Sequence, residues 1–293
     1  MKYILKKSII LVLTFVFLIL LFKNPSISKE SIAKSFSLWT NNLVPSLFPM
    51  IIINEILINY NFPSIICSIF YKIFNKIFKL SYNGTYLFIM SIFIGTPTNA
   101  ILIKNMLDKK MVQIEEVNKL LYVCYFSNPL FLYNMLSLIF SNKKIVLFLL
   151  VSHYLANFIT LFLIRNKYQP NTDNKIKIES ISLSKLLPNA IKKAFNSLIV
   201  VLGVISFYLL ISDYFLTTTI FKGLLEITTG LNSLIINQSS SKKILAIIII
   251  NFGGLSIFTQ IKSILEDTNL NFINYFKGRI LQIIISLLLC STI

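Results

Sequence analysis

The chain has 293 residues, of which 55% are hydrophobic and 13% charged, and a mean hydropathy of +0.76. An ordinary soluble domain carries about 25% charged residues, and a disordered chain cannot be this apolar, so a polytopic membrane protein remains. At about 20 residues per helical span the length allows roughly 8 to 10 membrane segments and no sizeable soluble domain.

The formal net charge of +17 is spread as lysines between apolar runs. That pattern fits loop charge and anionic lipid headgroups, not nucleic acid. Cys67, Cys124 and Cys290 lie in apolar stretches without ligand spacing, which argues against a disulfide framework or a zinc site.

Lys2, Lys6 and Lys7 precede an apolar run from Ser8 to Phe22 with no small-residue cleavage site after it. It reads as a membrane helix with its N-terminus in the cytoplasm. Lys23 to Asn42 is polar and amphipathic. The apolar segment Leu43 to Tyr60 contains Pro45, Pro49 and Glu55, so it is a poor simple span. From Phe62 to Leu80, lysines 72, 76 and 79 share one helical face, as in a helix lying in the interface or lining a polar cavity.

Gly84 to Ile103 is long enough to span but is interrupted at Gly95-Thr96-Pro97-Thr98-Asn99. Val112 to Phe126 is helical in pattern and stops at Ser127-Asn128-Pro129, and an apolar run resumes to Phe140. Ile145 to Ile164 is the cleanest span, with His153 its only ionisable residue. A lone histidine there reads as structural. The polar stretch Arg165 to Ser184 is taken as a linker between halves. Phe195 to Phe215 is a span ending near Asp213. Phe221 to Ile236 is short and carries Glu226, Thr228, Thr229 and Gly230. Ile244 to Leu265 is broken at Asn251-Phe252-Gly253-Gly254, and the last span, Asn271 to Ile293, has Lys277 and Arg279 at its beginning.

An offset of 158 residues lays Gly95 on Gly253, Lys104 on Lys262, Asp108 on Glu266 and Lys119 on Lys277. This predicts two repeats: 31–164 and 185–293, preceded by an N-terminal helix and linker at 1–30. In a bilayer a broken helix survives only where it lines protein or a cavity, and paired breaks mark a transport site. A helix that restarts after a break presents unpaired N–H groups and partial positive charge, which suit a small anion.

Glu55 and Glu226 are carboxylates inside apolar segments, either functional or reaching for headgroups. Lys104 and Lys262 read as interfacial. Thr96, Thr98, Asn99, Ser127 and Asn128 supply neutral hydrogen-bonding groups at membrane depth, with Asn251, Ser256 and Gln260 as the second-half counterparts; each set is either substrate site or helix-helix glue. No nucleotide-binding loop, catalytic triad or metal cluster stands out, so neither an enzyme nor a cofactor is expected.

Four pieces carry a family resemblance: Val44-Pro45-Ser46-Leu47-Phe48-Pro49; Gly95-Thr96-Pro97-Thr98-Asn99-Ala100; Ser127-Asn128-Pro129-Leu130-Phe131; and Leu225-Glu226-Ile227-Thr228-Thr229-Gly230 with Phe252-Gly253-Gly254-Leu255-Ser256 and Gln260. Over about residues 35 to 290 the chain resembles the sporulation integral membrane protein YlbJ (SpoVV) family, within the broader nucleoside recognition, or Gate, domain group. The resemblance implies a transporter-like core of two repeats with re-entrant hairpins. It implies movement of dipicolinate across the outer forespore membrane. Two departures are that the family's Gly-Tyr-Pro reads Gly-Thr-Pro here, and that the chain is shorter than typical members.

The reading that results is an all-α membrane transporter of a small anionic metabolite. Gly95, Gly253 and Gly254 open the breaks. Thr96, Thr98, Asn99, Ser127, Asn128, Thr228, Ser256 and Gln260 contact substrate, and Glu226 either holds a hairpin or couples a proton. A nucleoside or other metabolite as substrate, and a non-transporting scaffold for the spore envelope, are the alternatives. The bilayer is the expected surrounding, a homo-oligomer is left open, and no nucleic acid partner is expected.

Overall fold

A computed structural model describes residues 2–168, 181–215, 218–236 and 241–291. Fifteen α-helices form it, and no strand occurs among the described residues. In chain order they are α1 (Lys2–Lys23), α2 (Pro25–Leu38), α3 (Val44–Asn59), α4 (Phe62–Phe78), α5 (Tyr82–Ile94), α6 (Thr98–Asp108), α7 (Ile114–Leu120) and α8 (Pro129–Ile139). Then come α9 (Lys143–Leu163), α10 (Leu183–Phe215), α11 (Thr219–Leu225), α12 (Ile227–Ile236), α13 (Lys242–Phe252), α14 (Leu255–Ile264) and α15 (Ile273–Cys290).

Among the described residues, five stretches are long and apolar enough to cross a membrane, and six if α4 and α5, bent by 103° at their junction, count as one. Of the other apolar helices, α1 has 22 residues and α8 has 11. The expected linker over 165–184 falls mostly outside the described residues.

The outer surface explains the composition. On α10 the buried positions run Leu186, Ala190, Ala194, Leu198, Val201, Ile205 and Leu209, a single stripe at helical spacing. Phe195, Ile199, Val200 and Phe207, on the other faces of the same helix, are exposed. A helix apolar all round but buried on one side faces lipid. The protein is an integral membrane protein.

Two boundaries differ from the sequence expectation. The polar stretch after Lys23 is not separate from the apolar one after it: α2 and α3 join through a π-helical turn, Trp39–Leu43, into one 35-residue helix, Pro25–Asn59. Such a turn loosens the backbone ladder one turn ahead of Pro45 and Pro49, where two donors are missing. The serines that make α2 look polar face α10. Ser31 Oγ donates to Asp213 Oδ2 at 2.8 Å, and Ser35 Oγ lies 2.8 Å from Ser206 Oγ. Likewise α10 begins at Leu183, well before Phe195; Lys185, Pro188, Lys192 and Lys193 interrupt the hydropathy of that first part, where Leu186, Ala190 and Ala194 are nonetheless buried.

The two long helices lie antiparallel along their whole length. Asn59 bonds both backbone groups of Ile181, Phe48 packs on Phe195, Trp39 Nε1 donates to Leu198 O at 2.8 Å, and Ser28 meets Tyr214. The 158-residue offset carries Pro25–Asn59 onto 183–217, where α10 lies. It carries α5 onto 240–252, where α13 lies, and α6 onto 256–266, where α14 lies.

At the centre, α5 is buried on every face from Tyr82 to Ser91. Phe74, Phe88, Phe126 and Phe158 stack around it with ring centroids 5.1 to 6.3 Å apart. The α4–α5 bend is held by two residues of α7. Glu116 accepts from Ser81 N and Oγ at 2.8 and 2.7 Å. Lys119 Nζ donates to Phe78 O, Lys79 O and Arg165 O at 2.7, 3.0 and 3.0 Å. Lys119 lies outside the membrane-crossing stretches. Burial pulls its ammonium down to about 8 from an ordinary 10.5, against the opposing pull of Glu116.

Candidate functional site

Four helices begin inside the protein: α6 at Thr98, α8 at Pro129, α12 at Ile227 and α14 at Leu255. Their starts meet in two pairs. Gly95 takes φ +71°, a conformation that L side chains rarely adopt, and a Cβ there would sit 2.9 Å from Asn128 N. Thr96 N donates to Phe126 O at 3.0 Å across the same junction. In the second half, Gly254 takes φ +85°, and a Cβ would sit 3.1 Å from Ile227 N and 3.3 Å from Glu226 Cα. In each half, then, a glycine break packs directly on the junction of a second broken segment. Helices α11 and α12 fold back on one another through Gly223 and Gly230, so this junction is a short hairpin with Glu226 at its tip.

The two pairs share one cavity of about 40 Å³. Thr96 and Pro97, Ser127 and Asn128, Glu226 and Thr228, and Ser256 and Gln260 supply its polar wall; Leu43, Leu47, Val201 and Ile205 of the long helices close it. One water needs roughly 10–15 Å³ on this measure, so the site is closed down to about the size of three waters.

The four starts are not equivalent. Asn128 Oδ1 accepts from Leu130 N and Phe131 N at 2.9 and 3.2 Å, an N-cap of its own helix. Glu226 caps α12 more fully. Its two oxygens accept from the N–H and hydroxyl groups of Thr228 and Thr229 at 2.6 to 3.0 Å. Four donors on one carboxylate match the hairpin-holding role and leave little acceptor capacity for a moving proton. By contrast, no side chain caps α6 or α14. At α14 the first backbone bond runs from Phe258 N to Gly254 O at 3.3 Å, so the donors of Leu255, Ser256 and Ile257 precede it. Gln260, 7% exposed, sits on the same helix against the cavity, and its Oε1 has no partner. The oxygen and nitrogen of such an amide exchange by a flip, so Gln260 offers either a donor or an acceptor.

Of the residues singled out by sequence, Thr96, Ser127, Asn128, Glu226, Thr228, Ser256 and Gln260 line this cavity. Gly95, Gly253 and Gly254 shape the breaks. Asn99 does not face the cavity; its amide donates to Cys124 O. Thr98 faces a second, larger cavity. Lys262 is exposed, and Lys104 pairs with Asp108 at 3.3 Å, both away from the centre.

Arg279 is placed differently from the sequence expectation. It is not at the membrane edge but 1% exposed. Its Nη1 donates to Tyr125 O at 3.0 Å and Asn251 O at 3.5 Å, the backbone leading into two of the breaks. Asn251 belongs to this network, not to the cavity wall: its Oδ1 lies 3.0 Å from His153 Nδ1. Gly278 beside Arg279 allows the approach, since a Cβ there would sit 2.1 Å from Tyr122 O. The signal in the sequence was a rare arginine next to a glycine inside an apolar run.

The chain is similar to the sporulation integral membrane protein YlbJ of Bacillus subtilis (strain 168). The two are 25% identical over 310 residues, covering 88% of this chain and 76% of that protein. No protein-family model matches the chain, and no solved structure matches it. The protein is thus a membrane protein related to a sporulation integral membrane protein.

Proposed function

We propose that the protein is a transporter of a small anionic metabolite, with dipicolinate crossing the outer forespore membrane during sporulation as the specific case. In this reading residues 31–164 and 185–293 are two Gate-like repeats, and the chain moves a solute without catalysing a reaction. The observation that carries the reading is the meeting of four helix starts on one cavity, with the start of α14 left uncapped beside Ser256 and Gln260. Helix starts attract anions through their free N–H groups and dipoles, and paired broken helices are the architecture of secondary-transport sites. The similarity to a sporulation protein supports the biological setting.

Closure of the cavity to about 40 Å³ fits a carrier at rest, whose site opens when one half moves against the other. The recurrence of helix boundaries at the same offset in both halves supports such a movement.

A neutral substrate is the second reading. Among the described residues, the cavity lining holds Glu226 and no lysine or arginine. The test is uptake of labelled dipicolinate into liposomes bearing the purified protein, with uridine as competitor. Saturable uptake that uridine leaves unchanged supports the anion. Uptake of uridine, or its competition with dipicolinate, moves the substrate to nucleosides. Uptake of neither favours a scaffold.

A further inference from the structure

The lining of the central cavity holds no lysine or arginine, so a cationic side chain that adds to the pull of the helix starts on an anion must stand elsewhere. The place is a second cavity of about 230 Å³ between the long helices and the first broken helix. Thr98 and Asn105 of α6, Lys109 just after it, Tyr86 of α5, Glu55 of α3 and Lys193 of α10 line it. Glu55 and Lys193 form an ion pair across the two long helices. Asn105 and Lys109 are exposed, and α6 ends in the charged run Asp108-Lys109-Lys110, so this cavity opens at a water-facing end.

Its relation to the centre is direct. Thr96 and Pro97 line the central cavity and Thr98 lines this one. One short peptide, the break between α5 and α6, separates them. The side cavity is also nearly six times the larger, which gives room for a ring-bearing solute where the centre gives none.

Two lysines face one carboxylate here, and the carboxylate already occupies one of the lysines. A second acid–lysine pair joins α10 to α11. The 158-residue offset lays Glu55 on Asp213, and Asp213 pairs with Lys222 at 3.5 Å. Because α3 and α10 run antiparallel, the two acid–lysine pairs sit toward opposite ends of the long-helix pair.

We propose that the 230 Å³ cavity is an anion-collecting vestibule. A carboxylate-bearing solute docks on Lys193 and Lys109 and takes the place of Glu55, before it passes the α5–α6 break. Glu55 is then a resident competitor that holds the vestibule shut against weaker anions. The proposal rests on the transport reading and adds a place of charge selection ahead of the central site.

The sign of two substitutions is its signature. Removing the resident acid with Glu55→Gln frees Lys193 and strengthens anion capture; removing the base with Lys193→Gln weakens it. The experiment uses the full chain in liposomes with Asn105→Cys as reporter and Cys290→Ser in the background; Cys67 and Cys124 are buried. The reporter is reacted with an anionic and with a cationic methanethiosulfonate, and the ratio of the two rates is measured. Local potential shifts such ratios severalfold. Glu55→Gln is expected to raise the anionic-to-cationic ratio severalfold and Lys193→Gln to lower it severalfold. Lys109→Gln, an exposed change that leaves the helix packing alone, is expected to lower it too. Dipicolinate is expected to slow the anionic reagent, and uridine is not. A ratio that all three changes leave within twofold, or that Glu55→Gln and Lys193→Gln move in the same direction, overturns the vestibule. Because this readout needs no transport, it separates two failures. A flat ratio with intact dipicolinate uptake rejects the vestibule alone, and a responsive ratio without uptake rejects the transport reading alone.

Discussion

The two broken helices, α5–α6 and α13–α14, are alike in plan and different in finish. Both turn at a glycine with positive φ, and both restart without a side-chain cap. In the first half the restart is largely spent. Pro97 has no N–H, Asn99 N donates to Gly95 O at 3.2 Å, Ala100 N donates to Pro97 O at 3.0 Å, and the Asn99 amide is tied to Cys124. In the second half three donors precede the first backbone bond, and Ser256 and Gln260 stand beside them on the cavity. The difference teaches that two breaks of similar plan can divide the work: one fixes the geometry and the other presents hydrogen-bonding groups.

The comparison breaks most severely at the glycines. Gly95→Ala and Gly254→Ala each combine a forbidden φ with a Cβ 2.9 to 3.1 Å from backbone of the partner junction. Each is expected to cost about 2–4 kcal/mol and to abolish uptake. Gly253→Ala has the same φ problem at +81° but only a 3.5 Å neighbour, the Tyr275 hydroxyl, so about 1–2 kcal/mol is expected. Gly203 on α10 has open space and negative φ, and alanine there is expected to be neutral or better. Thermal unfolding of the four purified variants tests the ranking; a Gly254→Ala protein as stable as Gly203→Ala contradicts the junction contact.

Next in size is Glu226. As a four-donor cap it is expected to lose about 1–3 kcal/mol on change to glutamine, which keeps one acceptor oxygen. Uptake in Glu226→Gln is expected to follow external pH in the same way as uptake in the wild type. Normal stability together with loss of that pH dependence would return Glu226 to proton coupling.

The functional asymmetry is tested by smaller effects. Ser256→Ala and Gln260→Ala are expected to raise KM for uptake on the order of tenfold, the weight of one hydrogen bond to a charged group, without lowering stability. Thr98→Ala, on the far side of the first break, is expected to change KM by less. Equal effects from all three would erase the difference between the halves.

How much of this was readable beforehand follows from where each residue's partner lies. The breaks were legible where glycine, proline and asparagine act locally: Gly95, Asn128 and Gly253 all fall at junctions, whereas the division at Glu226 splits what reads as one short segment, Phe221 to Ile236. Their pairing was not, since it depends on backbone approach between segments far apart in sequence. Thr98 and Asn99 look like Ser256 and Gln260 in one dimension, and only the direction of the helix start separates them. The long helix Pro25–Asn59 was hidden because its serines are satisfied by Asp213 and Ser206 on α10, which hydropathy cannot see. Arg279, Glu116 and Lys119 were missed for the same reason: each is buried against backbone carbonyls or N–H groups of other segments.

A further prediction concerns Lys119, outside the two breaks. Its folded pKa of about 8 lies below the ordinary 10.5, so between these values the unfolded chain holds a proton that the folded chain has lost. Stability must therefore rise with pH across that window, by up to about 1.4 kcal/mol per pH unit relative to Lys119→Met. Denaturation at pH 8 and pH 10 of both proteins measures the difference; a fall relative to the variant contradicts the assignment.

The central claim is that the uncapped start of α14 binds the transported anion. It is tested most directly by saturable dipicolinate uptake in liposomes carrying the wild-type protein or Gln260→Ala at equal density. The account predicts saturable uptake in the wild type and a KM raised on the order of tenfold in the variant, with stability unchanged. Identical KM values, or no dipicolinate uptake by the wild type, would contradict it.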